Sequence, residues 1–137
     1  MKKAVTIAVA DDHPIMRQCT TFRLSMLGYK VVVEAENGKK LLDHLCGSIA
    51  PDICLLDINM PVMGGFETIS HLKQNWPGMK VLFLSMHNET QYYDKAIALG
   101  ADGFITKDAP FKELESALHT LMNKKKRTSQ HKQLQLF

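Results

Sequence analysis

The sequence predicts an α/β domain built on a mainly parallel sheet with helices on both faces. Three observations carry this prediction. Strand-like and helix-like patterns alternate five times along the chain, the mark of βαβ units. Two short apolar runs, residues 53–56 and 81–84, lack polar alternation, as strands buried on both faces do. Acidic or polar residues stand directly after several strand patterns, where open α/β sheets place their ligand sites.

Residues 4–10 give the first strand, with Val5, Ile7 and Val9 on one face and Asp11-Asp12 at its end. Pro14 suits the first position of a helix, where its missing N–H costs nothing. Ile15, Cys19, Phe22 and Met26 follow at helical spacing, and Gly28 stops the helix. Val31-Val32-Val33 is a second strand, and Asn37-Gly38 marks a turn. Leu41, Leu42, Leu45 and Ile49 form the stripe of a second helix.

Pro51-Asp52 opens the central strand, residues 53–56, which stops at Asp57. Asn59, Pro61 and Gly64-Gly65 follow, and Phe66, Ile69, Leu72 and Trp76 make a third helix ended by Pro77-Gly78. Residues 80–85 are the fourth strand, residues 92–99 the fourth helix with Gly100 past its end, and residues 103–106 a short fifth strand. Pro110 opens a last helix with Phe111, Leu114, Leu118 and Leu121 on one face.

The 137 residues suffice for one domain with a real core. Residues 1–123 are expected to form it, and residues 124–137 a basic linker or tail. The formal net charge of +3 is carried by that tail: Lys124, Lys125, Lys126, Arg127 and Lys132 lie there with no acid, which leaves −2 for residues 1–123. A slightly acidic body argues against the domain itself gripping nucleic acid. No apolar run reaches the length of a membrane span, and the first residues do not read as a signal peptide, so a cytoplasmic protein is expected. Cys19, Cys46 and Cys54 show no C-x-x-C spacing and are expected to be buried, reduced thiols.

Parallel topology gathers Asp11, Asp12, Asp57, Ser85 and Lys107 on one sheet edge. Three carboxylates alone repel, and Mg²⁺ relieves this, since it favours one or two carboxylates, waters and a phosphate oxygen. A backbone carbonyl near Asn59 offers a further ligand. Asp57 then becomes a candidate nucleophile toward phosphorus. Mg²⁺, Lys107 and Ser85 are placed to hold the phosphoryl oxygens. Singly, each residue has a plainer reading: Asp11 or Asp12 as a helix cap, Ser85 as a strand-end hydroxyl, and Lys107 as a surface lysine. His13 and His87 read as exposed edge histidines, Tyr92-Tyr93 as helix packing, and Lys124 to Arg127 as a solvated linker.

The chain resembles the receiver domain of two-component response regulators. The resemblance rests on Asp11-Asp12-His13-Pro14, on Leu56-Asp57-Ile58-Asn59-Met60-Pro61 with Gly64-Gly65, on Leu84-Ser85, and on the stretch from Ala98 to Lys107. It covers about residues 4–122. It implies a doubly wound, five-stranded parallel sheet in the flavodoxin-like order 2-1-3-4-5. It implies Asp57 as phosphoacceptor, Asp11, Asp12 and the Asn59 carbonyl as Mg²⁺ ligands beside Asp57, and Ser85 and Lys107 as phosphoryl contacts. Phe104 matches the family's switch aromatic. A sensor histidine kinase or phosphotransfer protein is the implied donor. His13-Pro14 and Lys107-Asp108-Ala109 resemble receivers that precede a LuxR-type helix-turn-helix, so DNA contact is expected only through an output domain that this chain lacks.

Met86 replaces the usual small residue after the serine and is expected to narrow access to Asp57. Asn59 and His87 are expected to flank the path of water. Asp108 replaces a common proline after the lysine, so a trans peptide is expected. Phosphorylation is expected to draw Ser85 inward, to move the Phe104 ring from water into the space opened, and to alter a face that includes Tyr92, Tyr93 and Lys112, with homodimerisation as one result. Two rival readings are a stand-alone receiver acting as adaptor or phosphate sink, and a Mg²⁺-dependent phosphohydrolase. The second is disfavoured because Asn59 stands where such enzymes carry a second aspartate.

Overall fold

A computed structural model of the chain describes residues 3–123; the basic run beyond them lies outside the described residues. The elements alternate as the sequence predicts: β1 (Thr6–Ala10), α1 (Pro14–Met26), β2 (Lys30–Ala35), α2 (Gly38–Leu45), β3 (Ile53–Asp57), α3 (Gly65–Asn75), β4 (Lys80–Ser85), α4 (Thr90–Ala98), β5 (Gly103–Thr106) and α5 (Phe111–Asn123). The strands form one sheet in the order β2-β1-β3-β4-β5, parallel throughout.

Alternation along the strands splits the core in two. Ala8, Ala10, Cys54, Leu56, Val81, Phe83 and Phe104 face α2, α3 and α4. Ile7, Val9, Ile53, Leu55, Leu82 and Ile105 face α1 and α5. β3 is buried at all five of its positions, which explains its unbroken apolar run.

Two carboxylates pin the amino ends of the strands. Asp52 Oδ2 accepts the Thr6 N–H at 2.9 Å, and Asp102 Oδ2 accepts the Val81 N–H and the Lys73 ammonium, both at 2.8 Å. The helices start and stop on local signals. Pro14 opens α1, and the Asn37 side chain caps α2 by accepting the Lys40 N–H at 2.9 Å. Gly28 and Gly100 take φ of +95° and +92° just beyond α1 and α4, a conformation that favours glycine. No helix among the described residues is long and apolar enough to cross a membrane. The described residues contain no cis peptide bond, so Lys107-Asp108 is trans as expected.

Three expectations are corrected. The stripe of Ile15, Phe22 and Met26 on α1 faces solvent, at 75%, 65% and 72% exposure, and the helix packs on the sheet through Leu24 instead. Cys19, which shares that stripe, and Cys46 are exposed, and only Cys54 is buried. α2 ends at Leu45 because Cys46 is already extended (φ −65°, ψ 129°); Gly47 follows with φ +79°, and Ile49 is left 94% exposed.

Val62 is strained. It holds φ +69° while 80% exposed, and a β-branched residue is a genuine outlier there. The left-handed region costs an L-residue roughly 1–2 kcal/mol, while asparagine visits it readily. Val62→Asn is therefore expected to stabilise the fold by about 0.5–1.5 kcal/mol, read as a higher urea midpoint with an unchanged slope.

Candidate functional site

The carboxyl edge of the sheet gathers the predicted residues. β3 ends on Asp57, β4 ends on Ser85, Asp11 and Asp12 follow β1, and Lys107 follows β5. Asp11 and Asp57 are each 4% exposed and Ser85 is fully buried. The Lys107 ammonium stands 3.1 Å from Asp11 Oδ2 and 3.1 Å from Asp57 Oδ2.

Local structure explains each placement. The Asp11 side chain turns back to accept the His13 N–H at 2.9 Å, and the Arg17 guanidinium donates to the Asp11 carbonyl. The Lys107 N–H donates to the Ser85 carbonyl at 2.7 Å, which fixes the start of the lysine side chain beside β4. The Gly65 N–H donates to the Ile58 carbonyl at 2.7 Å, and a Cβ on Gly65 would strike the Asp57 carbonyl. Glycine is thus required where α3 approaches the end of β3.

The charges do not balance. Three carboxylates face one ammonium. Burial pushes the Asp57 carboxyl up to about 6; Lys107 pulls it down, and Asp11 and Asp12 raise it. Asp12 Oδ1 is buried and accepts no hydrogen bond, although the exposed His13 imidazole lies 3.2 Å away. Single ligand atoms of Asp11, Asp12, His13 and Asp57 lie within 4.8 Å of one another. A hard divalent cation such as Mg²⁺ suits this set: carboxylate oxygens dominate it, and one of them accepts no hydrogen bond.

Beyond β3 and β4, Asn59 Nδ2 lies 2.9 Å from His87 Nε2, and the His87 N–H donates to Ser85 Oγ at 2.9 Å. Met86 is 67% exposed. Phe104 is a correction: its ring is 3% exposed and packs edge-on against Tyr93 with centroids 5.9 Å apart. Transfer of this ring from water into a pocket cannot drive a switch, because the ring is already inside. Sequence reasoning missed Arg17 and the contact of Tyr92, whose ring stacks on His87 with centroids 4.3 Å apart. Arg17 was legible as a cation in the first turn after Asp11-Asp12. Tyr92 carried no such signal, because its contact depends on the path of the loop after β4.

A doubly wound flavodoxin-like sheet with an acidic pocket and one buried lysine at its carboxyl edge defines a class of α/β signalling domain. The chain belongs to the response regulator receiver domain family, whose model matches residues 7–119. It is 36% identical over 119 residues to the nitrate/nitrite response regulator protein NarL of Escherichia coli K12, a match covering 86% of this chain and 55% of the relative. The signal receiver domain of the putative response regulator NarL from Mycobacterium tuberculosis superposes with a TM-score of 0.81 at 30% identity, over 90% of this chain and all of that one. A LuxR-family two-component response regulator from Aurantimonas gives 0.82 at 30% identity, over 88% and 86%. The chain spans about half the length of the curated relatives it matches.

The raised Asp57 value makes stability depend on pH. A carboxyl titrating near 6 when folded and near ~3.9 when unfolded contributes stability below the lower value and loses it as pH rises through the upper one. In chelator at pH 7, Asp57→Asn is therefore expected to be more stable than the parent by about 1–3 kcal/mol. The difference is expected to vanish near pH 4. Urea unfolding at both pH values measures it.

Proposed function

We propose that this chain accepts a phosphoryl group on Asp57 from a sensor histidine kinase or phosphotransfer protein. The observation that carries this reading is the Asp57 carboxylate, buried at the tip of the central strand and bridged by Lys107 to Asp11. One Asp57 oxygen attacks phosphorus, the bond from phosphorus to the donor's histidine nitrogen breaks, and its electron pair stays on that nitrogen. Lys107 can shift from the carboxylate to a phosphoryl oxygen, since its ammonium already lies within reach. Ser85 Oγ accepts the His87 N–H, which leaves its own proton free for a second phosphoryl oxygen.

Asp11, Asp12, Asp57 and the Asn59 carbonyl would hold Mg²⁺. Bound there, the ion neutralises charge between the carboxylates and the incoming phosphoryl group. The buried Asp12 oxygen that accepts no hydrogen bond supports this ligand set. Asn59, in place of a second aspartate, leaves the domain a phosphoacceptor rather than a turnover enzyme.

The acyl phosphate then biases an output surface on α4, β5 and α5 that includes Tyr92, Tyr93 and Lys112. Phe104 and Tyr93, in edge contact, would rearrange within the core when Ser85 moves. The reader is a transcriptional output domain outside this sequence, in a cytoplasmic protein, and DNA is bound through that domain. Phosphorylation-dependent self-association through the same surface is the second expected output.

Intact mass tests the phosphoacceptor. With acetyl phosphate and Mg²⁺ the protein is expected to gain the mass of one phosphoryl group. The gain is expected to disappear in Asp57→Asn and with chelator, and to fall sharply in Lys107→Ala. A gain that persists in Asp57→Asn would sink the reading.

A further inference from the structure

Four aromatic rings form a column from the core to the rim of the acidic pocket. Phe83 on β4 is fully buried and meets Phe66 edge-on, with centroids 5.4 Å apart. Phe66 stacks on Tyr92 at 6.3 Å and 20°, and Tyr92 stacks on His87 at 4.3 Å and 11°. Beyond the column, His87 meets Asn59 at 2.9 Å. Asn59 lies two residues past Asp57 and His87 two past Ser85. β3 and β4 are hydrogen-bonded neighbours, with Asp57 opposite Leu84. The Asn59–His87 contact therefore bridges the gap above these two strand ends, on the side of the pocket away from Asp11 and Asp12.

We propose that Tyr92 is a positioning residue for the lifetime of phospho-Asp57: its ring holds the His87 imidazole against the Asn59 amide, and the joined pair closes one side of the path by which water reaches phosphorus. This rests on Asp57 being the phosphoacceptor. In the hydrolysis that the pair slows, a water oxygen attacks phosphorus and the bond from phosphorus to the Asp57 oxygen breaks. The electron pair stays on the carboxylate, and both water protons end on inorganic phosphate.

The contact geometry states how the pair acts. The Asn59 amide is the donor, so His87 Nε2 is the acceptor and its lone pair is occupied. The other ring nitrogen faces Glu89 Oε1, 3.6 Å away, and the His87 N–H is held by Ser85 Oγ. Backbone, the Nε2 edge and one ring face are thus engaged. In this arrangement neither Nε2 nor the Asn59 N–H that it accepts is free to orient a water. Loss of the Tyr92 ring removes the face that keeps the imidazole in register with Asn59, which frees both groups and opens the gap. Because Tyr92 lies on α4, a partner that displaces its ring would also shorten the signal.

Lifetimes of the phosphorylated protein test this, followed by intact mass after the phosphodonor is removed. Tyr92→Ala and His87→Ala are each expected to shorten the lifetime by about two- to tenfold, the range that one aromatic pair can supply. Tyr92→Phe, which keeps the stack, is expected to retain the parental lifetime. The double variant Tyr92→Ala/His87→Ala is expected to decay no faster than His87→Ala alone, because Tyr92 acts through His87. An unchanged lifetime in Tyr92→Ala, or a double effect equal to the product of the single ones, overturns the proposal.

A second readout needs neither metal nor phosphoryl. The ring-current shift of the His87 imidazole protons is expected in the parent and in Tyr92→Phe, and is expected to be lost in Tyr92→Ala. Imidazole resonances unmoved in Tyr92→Ala overturn the contact itself. Failure of the parent protein to phosphorylate counts against the phosphoacceptor reading, and the imidazole resonances still decide the positioning of His87.

Discussion

One ammonium holds the carboxyl edge of this sheet together. Lys107, with its side chain 3% exposed, stands between two carboxylates that belong to different strands. It follows β5, reaches past the end of β4, and meets Asp57 at the tip of β3 and Asp11 beyond β1. Burying charges is costly unless they are paired, and here the pairing is incomplete, because Asp12 adds a third negative charge. Much else at this edge follows from burial and that imbalance together: the upward push on Asp57, the Asp12 oxygen that accepts no hydrogen bond, and the suitability of the pocket for a cation.

Aspartate has opposite duties at the two ends of the sheet. At the amino ends, Asp52 and Asp102 are satisfied by backbone N–H groups and a lysine, and they act as pins. At the carboxyl ends the strands expose carbonyls rather than N–H groups, so Asp11, Asp12 and Asp57 find fewer donors. The same residue type is satisfied by donors at one end and crowded by other carboxylates at the other because the direction of the peptide changes what surrounds it.

This contrast also explains what the sequence could reveal. The central strand was legible because β3 is buried on both faces and its apolar run breaks at Asp57. Asp11-Asp12, Ser85 and Lys107 were legible because parallel order forces strand ends together. The buried face of α1 was not: helical spacing of Ile15, Cys19, Phe22 and Met26 identifies a stripe without saying which way it points. The length of α2 was misjudged because the chain leaves the helix at Cys46, ahead of Gly47, before Ile49 can join the stripe. The His87–Tyr92 stack and the prior burial of Phe104 depend on loop path and packing around α4, which no pattern of residue types encodes.

The sheet also acts as a partition. Side chains that face α2, α3 and α4 do not share a cluster with those that face α1 and α5, and only strand backbone lies between. Substitutions in one compartment should repack locally, and their energies should add across the sheet while coupling within each side. The aromatic column and Phe104 belong to one compartment, together with the helices that bear Tyr92 and Tyr93. The α1–α5 side can therefore drift in sequence, or be re-engineered for stability, with little disturbance of the aromatic column.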